Sequence, residues 1–224
     1  MTGKLIIIEA GDGCGKATQT EKLAARLQSE GENVRRIEFP DYQSPSSALI
    51  KMYLNGAFGH QPQAVNPYAA SSFYAVDRYA SFKRDWEKFY QQGGIVICDR
   101  YTTSNMVHQA VKIPAPDERE AYLNWLWDFE FVKFGLPVPD AVIFLDMPPE
   151  YSLRLIQNRA RQAGNAVDIH EANERYLADC YASYRQVAEK YHWRQVACVA
   201  DGQLRSIDRI HADIYKIAAE VLVL

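Results

Sequence analysis

Apolar residues run unbroken through three short stretches of the chain: Lys4 to Glu9 (KLIIIE), Gly94 to Cys98 (GIVIC) and Ala141 to Asp146 (AVIFLD). A strand without polar alternation is one covered on both faces, as in a parallel sheet. Two further β-branched runs, Asn33 to Phe39 (NVRRIEF) and Arg194 to Ala200 (RQVACVA), complete a set of five candidate strands. Between them the pattern changes to helical spacing. Lys16 to Ser29 sets Leu23 and Leu27 four apart and stops at Gly31. Asn66-Pro67 is an N-cap followed by a residue preset for the first turn, and no Gly or Pro intervenes before Gly93, which predicts one unusually long helix. Further helices are expected from Pro116 to Gly135, after Pro148-Pro149, from Asn173 to Tyr191 and from Ser206 to Leu222. Asp41 to Val65 and Gln162 to Ile169 lack a period and read as loops, either over a site or as ordinary surface connections. Strands alternating with helices predict an α/β chain with a parallel sheet wrapped on both sides.

Composition narrows this picture. With 224 residues, 48% of them hydrophobic, there is material for a sizeable core, expected as one domain over residues 1–224. Lys plus Arg number 25 against 28 Asp plus Glu, a net charge of -3, so bulk positive charge for nucleic acid or anionic membranes is excluded, though a local basic pocket is not. No apolar stretch approaches the roughly 20 residues needed to span a bilayer, and Met1 to Ile8 leads straight into a glycine-rich turn without the pattern of a signal peptide. Cys14, Cys98, Cys180 and Cys198 show neither disulfide nor metal-ligand spacing. A soluble protein in the reducing cytoplasm is expected.

The glycine-rich turn carries the chemistry. Gly11, Asp12, Gly13, Cys14, Gly15, Lys16, Ala17 and Thr18 follow an apolar strand and open an amphipathic helix. Glycines there let successive N–H groups face phosphate oxygens, the helix N-terminus adds positive potential, and the lysine supplies a mobile cation. The phosphate-loop pattern G-x-x-x-x-G-K-[ST] is broken twice, by Ala10 and by Ala17. The second matters more, because the missing hydroxyl normally ligates Mg²⁺. Asp12, Asp99, water and, less directly, Thr18 are the candidates to hold the metal instead.

Further motifs follow in order: Phe39-Pro40 after the second strand, Tyr74-Ala75-Val76-Asp77-Arg78 in the long helix, Asp99-Arg100-Tyr101 closing the third strand, then Ser104-Asn105 and His108-Gln109, and Leu136-Pro137-Val138-Pro139-Asp140 before the fourth strand. Together with the phosphate loop, this set closely resembles the thymidylate kinase family, nearly end to end. The resemblance implies the P-loop nucleoside-monophosphate kinase fold, a five-stranded parallel sheet flanked by helices with a short arginine-bearing lid near residues 154–170, and transfer of the γ-phosphoryl group of ATP to dTMP with Mg²⁺. It implies that Arg100 grips the acceptor phosphate, that Tyr74 stacks on thymine while Arg78 hydrogen-bonds the base, and that Asp12 meets the sugar hydroxyl. Tyr42, Ser104, Asn105 and Gln109 fall at acceptor-side positions. His108 stands where an aromatic is more usual, so it reads equally as a sugar contact or a solvated histidine. A homodimer is also implied.

Residue chemistry agrees with that reading. Phosphoryl transfer needs cations on several sides of the moving group, and Lys16, Arg100 and the run Arg154, Arg159 and Arg161 supply them. Arg159 and Arg161 are the lid candidates for the transition state, since Gly13 occupies a phosphate-loop position where some members of the family carry arginine. Tyr74 and Arg78, four apart, share a helix face. The alternatives are a kinase of another nucleoside monophosphate or of a deoxynucleoside, and a non-catalytic nucleotide-binding switch.

Overall fold

A computed structural model describes the backbone of residues 2–163 and 174–224, and the side chains of these except 158–163 and 174. Five parallel strands, β1 (Lys4–Glu9), β2 (Val34–Glu38), β3 (Ile95–Asp99), β4 (Ala141–Asp146) and β5 (Arg194–Ala197), form one sheet in the order β2-β3-β1-β4-β5. β1 is central and pairs on both edges, Ile6 opposite Ile97 on one side and Ala141 on the other. Successive residues of the central strands enter separate cores. Leu5, Ile7, Val96, Cys98, Val142 and Phe144 face one layer. Ile6, Ile8, Ile95, Ile97, Ile143 and Leu145 face the other. Burying an aliphatic side chain of this size contributes roughly 1.5–3 kcal/mol, so both faces reward the same unbroken apolar runs.

The helices that cover these faces are α1 (Lys16–Ser29), α2 (Ala48–Leu54), α3 (Pro67–Ser81), α4 (Glu87–Gln91), α5 (Thr102–His108), α6 (Pro116–Trp127), α7 (Pro149–Ala163), α8 (Glu174–Lys190) and α9 (Ile207–Leu222). Asn66 caps α3 by accepting from the Ala69 N–H at 2.9 Å, and Ser206 caps α9 through Arg209.

Three expectations need correction. The long helix after Asn66 is not uniform: a π-helical segment, Phe82–Trp86, separates α3 from α4, and a second, Asp128–Lys133, follows α6. Asp41 to Val65 contains α2, because Ile50 and Tyr53 are buried one turn apart, Tyr53 joining a small cluster with Val65 and Ala70. Arg194 to Ala200 is two strands. The chain leaves the sheet at Cys198, and β6 (Val199–Ala200) pairs with β7 (Gln203–Leu204) as a separate antiparallel hairpin. The expected loop of residues 162–169 and the lid residues beyond Ala163 fall largely outside the described residues.

Candidate active site

The carboxyl ends of β1 and β3 lie side by side, with Ile8 paired to Asp99, and the ligand-binding crevice of such sheets opens at these ends. The chain leaving β1 turns through Gly13 (φ 74°) and Gly15 (φ 80°) into α1. Both need the left-handed conformation that glycine adopts without strain. At Gly13 there is a further reason: a Cβ would come within 2.5 Å of Ile156 Cγ1 and 3.0 Å of the Ser152 carbonyl, so α7 rests directly on the loop. Asp12, Gly13, Cys14, Gly15, Lys16, Ala17 and Thr18 line one cleft together with Glu38, Asp99, Arg100 and Leu155. Gly11 contributes its carbonyl, which accepts from Lys16 Nζ at 2.7 Å, as the Ala10 carbonyl does at 3.0 Å. Burial and the nearby Arg100 lower the Lys16 pKa, against the pull of Asp12 and Asp99. Burial pushes the Cys14 thiol up to about 11, which leaves it protonated and unreactive at neutral pH.

β3 is followed by Arg100, whose φ of 66° is unusual for a residue with a side chain. This turn brings the guanidinium back across β1, where Nη2 pairs with Asp12 and Nη1 lies 3.1 Å from Ser104 Oγ, 3.4 Å from Tyr184 OH and 3.5 Å from Glu9 Oε1. Burial opposes the Arg100 charge, but Asp12, Tyr184, Glu9 and Asp99 outweigh it and hold its pKa well above the ordinary range. Strain of this kind persists where surrounding contacts over-determine it.

A second pocket adjoins the first through Arg100, Asp12, Phe39, Pro40 and Tyr42. Every residue named for the acceptor side lines it: Asp12, Phe39, Pro40, Tyr42, Tyr74, Arg78, Arg100, Ser104, Asn105, His108 and Gln109, joined by Leu54 and Tyr101. Two buried polar atoms in its wall, Asn105 Nδ2 and Gln109 Oε1, have no hydrogen-bond partner among the described residues. Arg78 is buried and gripped by Glu130, with Nε donating at 2.7 Å and Nη2 at 2.6 Å to the two carboxylate oxygens. It also donates to Asn105 Oδ1 at 3.2 Å and to the Tyr101 carbonyl at 3.4 Å. His108 is not a solvated side chain. It is buried, with Nε2 3.1 Å from Tyr184 OH and Nδ1 3.5 Å from Cys180 Sγ. On α7, Arg154 is exposed and its guanidinium lies 5.8 Å from the Tyr151 ring centroid, while the side chains of Arg159 and Arg161 lie outside the described residues.

Sequence reasoning passed over three acids. Glu9 is fully buried at the end of β1, Glu130 is fully buried in the second π-helical segment, and Glu38 lines the phosphate-loop cleft. A charged residue closing an apolar strand, or set inside the aromatic run Phe129-Glu130-Phe131, was the available signal for the first two.

A parallel sheet in this order, with a glycine-rich phosphate loop after its central strand and an Asp-Arg pair ending the neighbouring one, defines a nucleoside-monophosphate kinase of the P-loop class. The family description "Thymidylate kinase" matches residues 8–214. A thymidylate kinase of Mycobacterium tuberculosis is 31% identical over 82% of this chain and 85% of its own length, and one of Caulobacter vibrioides 27% identical over 95% of each. The solved structure of a thymidylate kinase from Candida albicans shares the fold, with a TM-score of 0.69 and 23% identity over 99% of this chain and 93% of that one. The chain belongs to the thymidylate kinase family of phosphotransferases.

Proposed function

We propose that the protein transfers the γ-phosphoryl group of ATP to the 5′-phosphate of dTMP, giving dTDP and ADP, with the donor phosphates in the Gly11–Thr18 cleft and the acceptor in the adjoining pocket. The observation that carries the acceptor assignment is the unpartnered pair in the pocket wall. Asn105 Nδ2 is a donor and Gln109 Oε1 an acceptor, both buried, and leaving such groups unmatched costs about 1–3 kcal/mol each. A pyrimidine edge presenting a carbonyl and an N–H answers both. Tyr74 lines the same pocket and offers a ring face for stacking, while Arg78, whose Nε and Nη2 are taken by Glu130, has Nη1 for a base carbonyl.

Arg100 stands at the boundary of the two clefts and lines both, which suits a cation that holds the acceptor phosphate against the transferred group. Lys16 supplies charge from the donor side. Arg159 and Arg161 are proposed as the lid cations, on the strength of their place late in α7, the helix that rests on Gly13. No side-chain nucleophile is required, since the attacking atom is an acceptor phosphate oxygen.

The residues fit Mg²⁺ in a restricted way. Among the described residues no group of three acidic, histidine or cysteine ligands is gathered in one place. Mg²⁺ bound chiefly by substrate phosphates and water needs only one or two carboxylates. Asp12, Asp99 and Glu38 line the cleft, and Asp99 is the best placed to hold it, since Asp12 is engaged with Arg100 and Glu38 with Arg36. When bound, the metal would neutralise charge on the donor phosphates.

Tyr68, Val76 and Tyr79 lie exposed along one side of α3, which supports the expected homodimer. All four cysteines are free and buried, which supports a reducing, cytoplasmic setting. An acceptor panel tests the function: ADP release should be rapid with dTMP and slow with other monophosphates and with thymidine. Equal rates across the panel, or nucleotide binding without turnover, would overturn the reading.

A further inference from the structure

Glu9 has no place in the phosphate loop or in the acceptor contacts, yet its carboxylate is the most heavily bonded acid in the site. It is fully buried. It accepts from Thr103 Oγ1 at 2.8 Å, from Ser104 Oγ at 2.9 Å to both oxygens, from Tyr184 OH at 2.9 Å and from the Ala10 N–H at 3.2 Å. These donors come from α5, α8 and the loop after β1. Stability does not explain the arrangement, because a buried acid held by polar partners is commonly matched by an apolar replacement of the same shape.

The partners of these hydroxyls are informative. Ser104 Oγ and Tyr184 OH each carry one proton and lie within donating distance of Glu9, though Tyr184 OH also lies 2.8 Å from the Ala10 carbonyl, which competes for its proton. Burial and the adjacent Glu9 charge raise the Tyr184 pKa far above its ordinary value, so the phenol keeps that proton. A hydroxyl that spends its proton on Glu9 has only lone pairs left to offer. Both hydroxyls turn those lone pairs toward Arg100 Nη1, at 3.1 Å and 3.4 Å. Glu9 therefore sets the polarity of Ser104, shares that of Tyr184 with the Ala10 carbonyl and itself lies 3.5 Å from Nη1, while Asp12 takes the other arm of the guanidinium.

We propose that Glu9 is a positioning residue: by fixing Ser104 as an acceptor, and by its own charge beside Nη1, it holds the Arg100 fork in the orientation that captures the acceptor's phosphate. The proposal rests on the acceptor phosphate lying at Arg100. Its prediction is confined to that phosphate, because Glu9 touches neither the base wall nor Lys16.

Glu9→Gln keeps the shape and reverses the polarity, since an amide N–H₂ facing a hydroxyl makes that hydroxyl accept and turns its proton toward Arg100. Binding of dTMP and of thymidine is measured by calorimetry, with steady-state kinetics in parallel. Wild-type protein should bind dTMP more tightly than thymidine; equal binding would defeat the acceptor-phosphate reading itself, before any variant is considered. If that advantage holds, Glu9→Gln should reduce it by about tenfold or more, leaving thymidine affinity and the KM for ATP unchanged. In an Arg100→Lys background the same substitution should add little, as expected for residues acting as one unit. An undiminished dTMP advantage, or equal losses for dTMP, thymidine and ATP, would show a merely structural role and sink the proposal. Ser104→Ala, which removes the hydroxyl that Glu9 orients, provides the measurement should Glu9→Gln fail to fold: a loss of dTMP affinity exceeding that of thymidine supports the proposal, and no loss overturns it.

Discussion

Glu130 holds Arg78 through both oxygens of its carboxylate, at 2.6 and 2.7 Å, with the two side chains 0% and 1% exposed. Burial opposes the Arg78 charge, and Glu130 more than offsets it, keeping the pKa above the ordinary guanidinium range. Thr102 adds a further bond to the same carboxylate at 2.8 Å. Removing one partner of such a pair strands the other charge in the core. Glu130→Ala should lose about 3–5 kcal/mol in urea denaturation and raise the KM for dTMP more than that for ATP. Unchanged stability would show that Arg78 finds another partner.

Gly13 combines a left-handed backbone with a close approach of α7, where Ile156 and the Ser152 carbonyl leave no room for a Cβ. Gly13→Ala must meet Ile156 and adopt a conformation costing roughly 1–2 kcal/mol for a residue with Cβ. We expect a fall in Tm together with a rise in the KM for ATP, read by thermal unfolding and by kinetics at saturating dTMP. A fall in Tm with normal kinetics would mean that the α7 contact only braces the fold.

Ala17 is exposed on the first turn of α1, so a hydroxyl can be added there without disturbing the core. Ala17→Thr should cost no more than about 0.7 kcal/mol of helix propensity and leave turnover largely intact. The Mg²⁺ concentration for half-maximal rate should not rise, and a titration of rate against Mg²⁺ checks this. A large rise would refute the view that the metal is held without a hydroxyl at this position.

Away from the site, His211 is buried in α9, and its Nδ1 has no hydrogen-bond partner among the described residues. Burial, then Lys22 and Arg26, lower its pKa below the ordinary 6.5, with Asp208 opposing. The folded state therefore releases this proton more readily than the unfolded state. Its contribution to stability is present above about pH 6.5 and is lost as the pH falls through the folded-state pKa. Denaturation midpoints between pH 8 and pH 5 should fall less steeply for His211→Leu than for the wild type.

Much of this architecture is written in short-range pattern. Leu5 to Ile8 and Val142 to Leu145 read as doubly covered strands because every residue has a core to enter. The acceptor pocket was legible only through the family resemblance, since the shared helix face of Tyr74 and Arg78 would by itself read as a core ring beside a surface charge, whereas Arg78 is buried and both line the pocket with Ser104, Asn105, His108 and Gln109. What escaped depends on contacts remote in sequence. Glu9 meets Tyr184 across 175 positions and Arg78 meets Glu130 across 52, and neither separation leaves a local period. α2 was hidden because its buried residues Ile50 and Tyr53 sit within a Ser-, Gly- and Pro-rich stretch. The break at Cys198 was hidden for another reason: Val196 and Cys198 continue an alternation that the hydrogen bonds do not, since the Cys198 N–H still reaches Asp146 while Val199 pairs elsewhere.

The placement of β1 affects which parts of the molecule open most readily. Its amides bond to strands on both sides, and its side chains are shared between two cores, so exposing Ile7 or Ile8 to solvent requires both layers to separate. In amide hydrogen exchange this strand should be among the slowest segments, trading with deuterium only when the whole protein unfolds. The phosphate loop thus springs from one of the most persistent parts of the molecule, while the exposed Tyr42 sits on the connection between β2 and α2, which is fastened to α3 through Asp77.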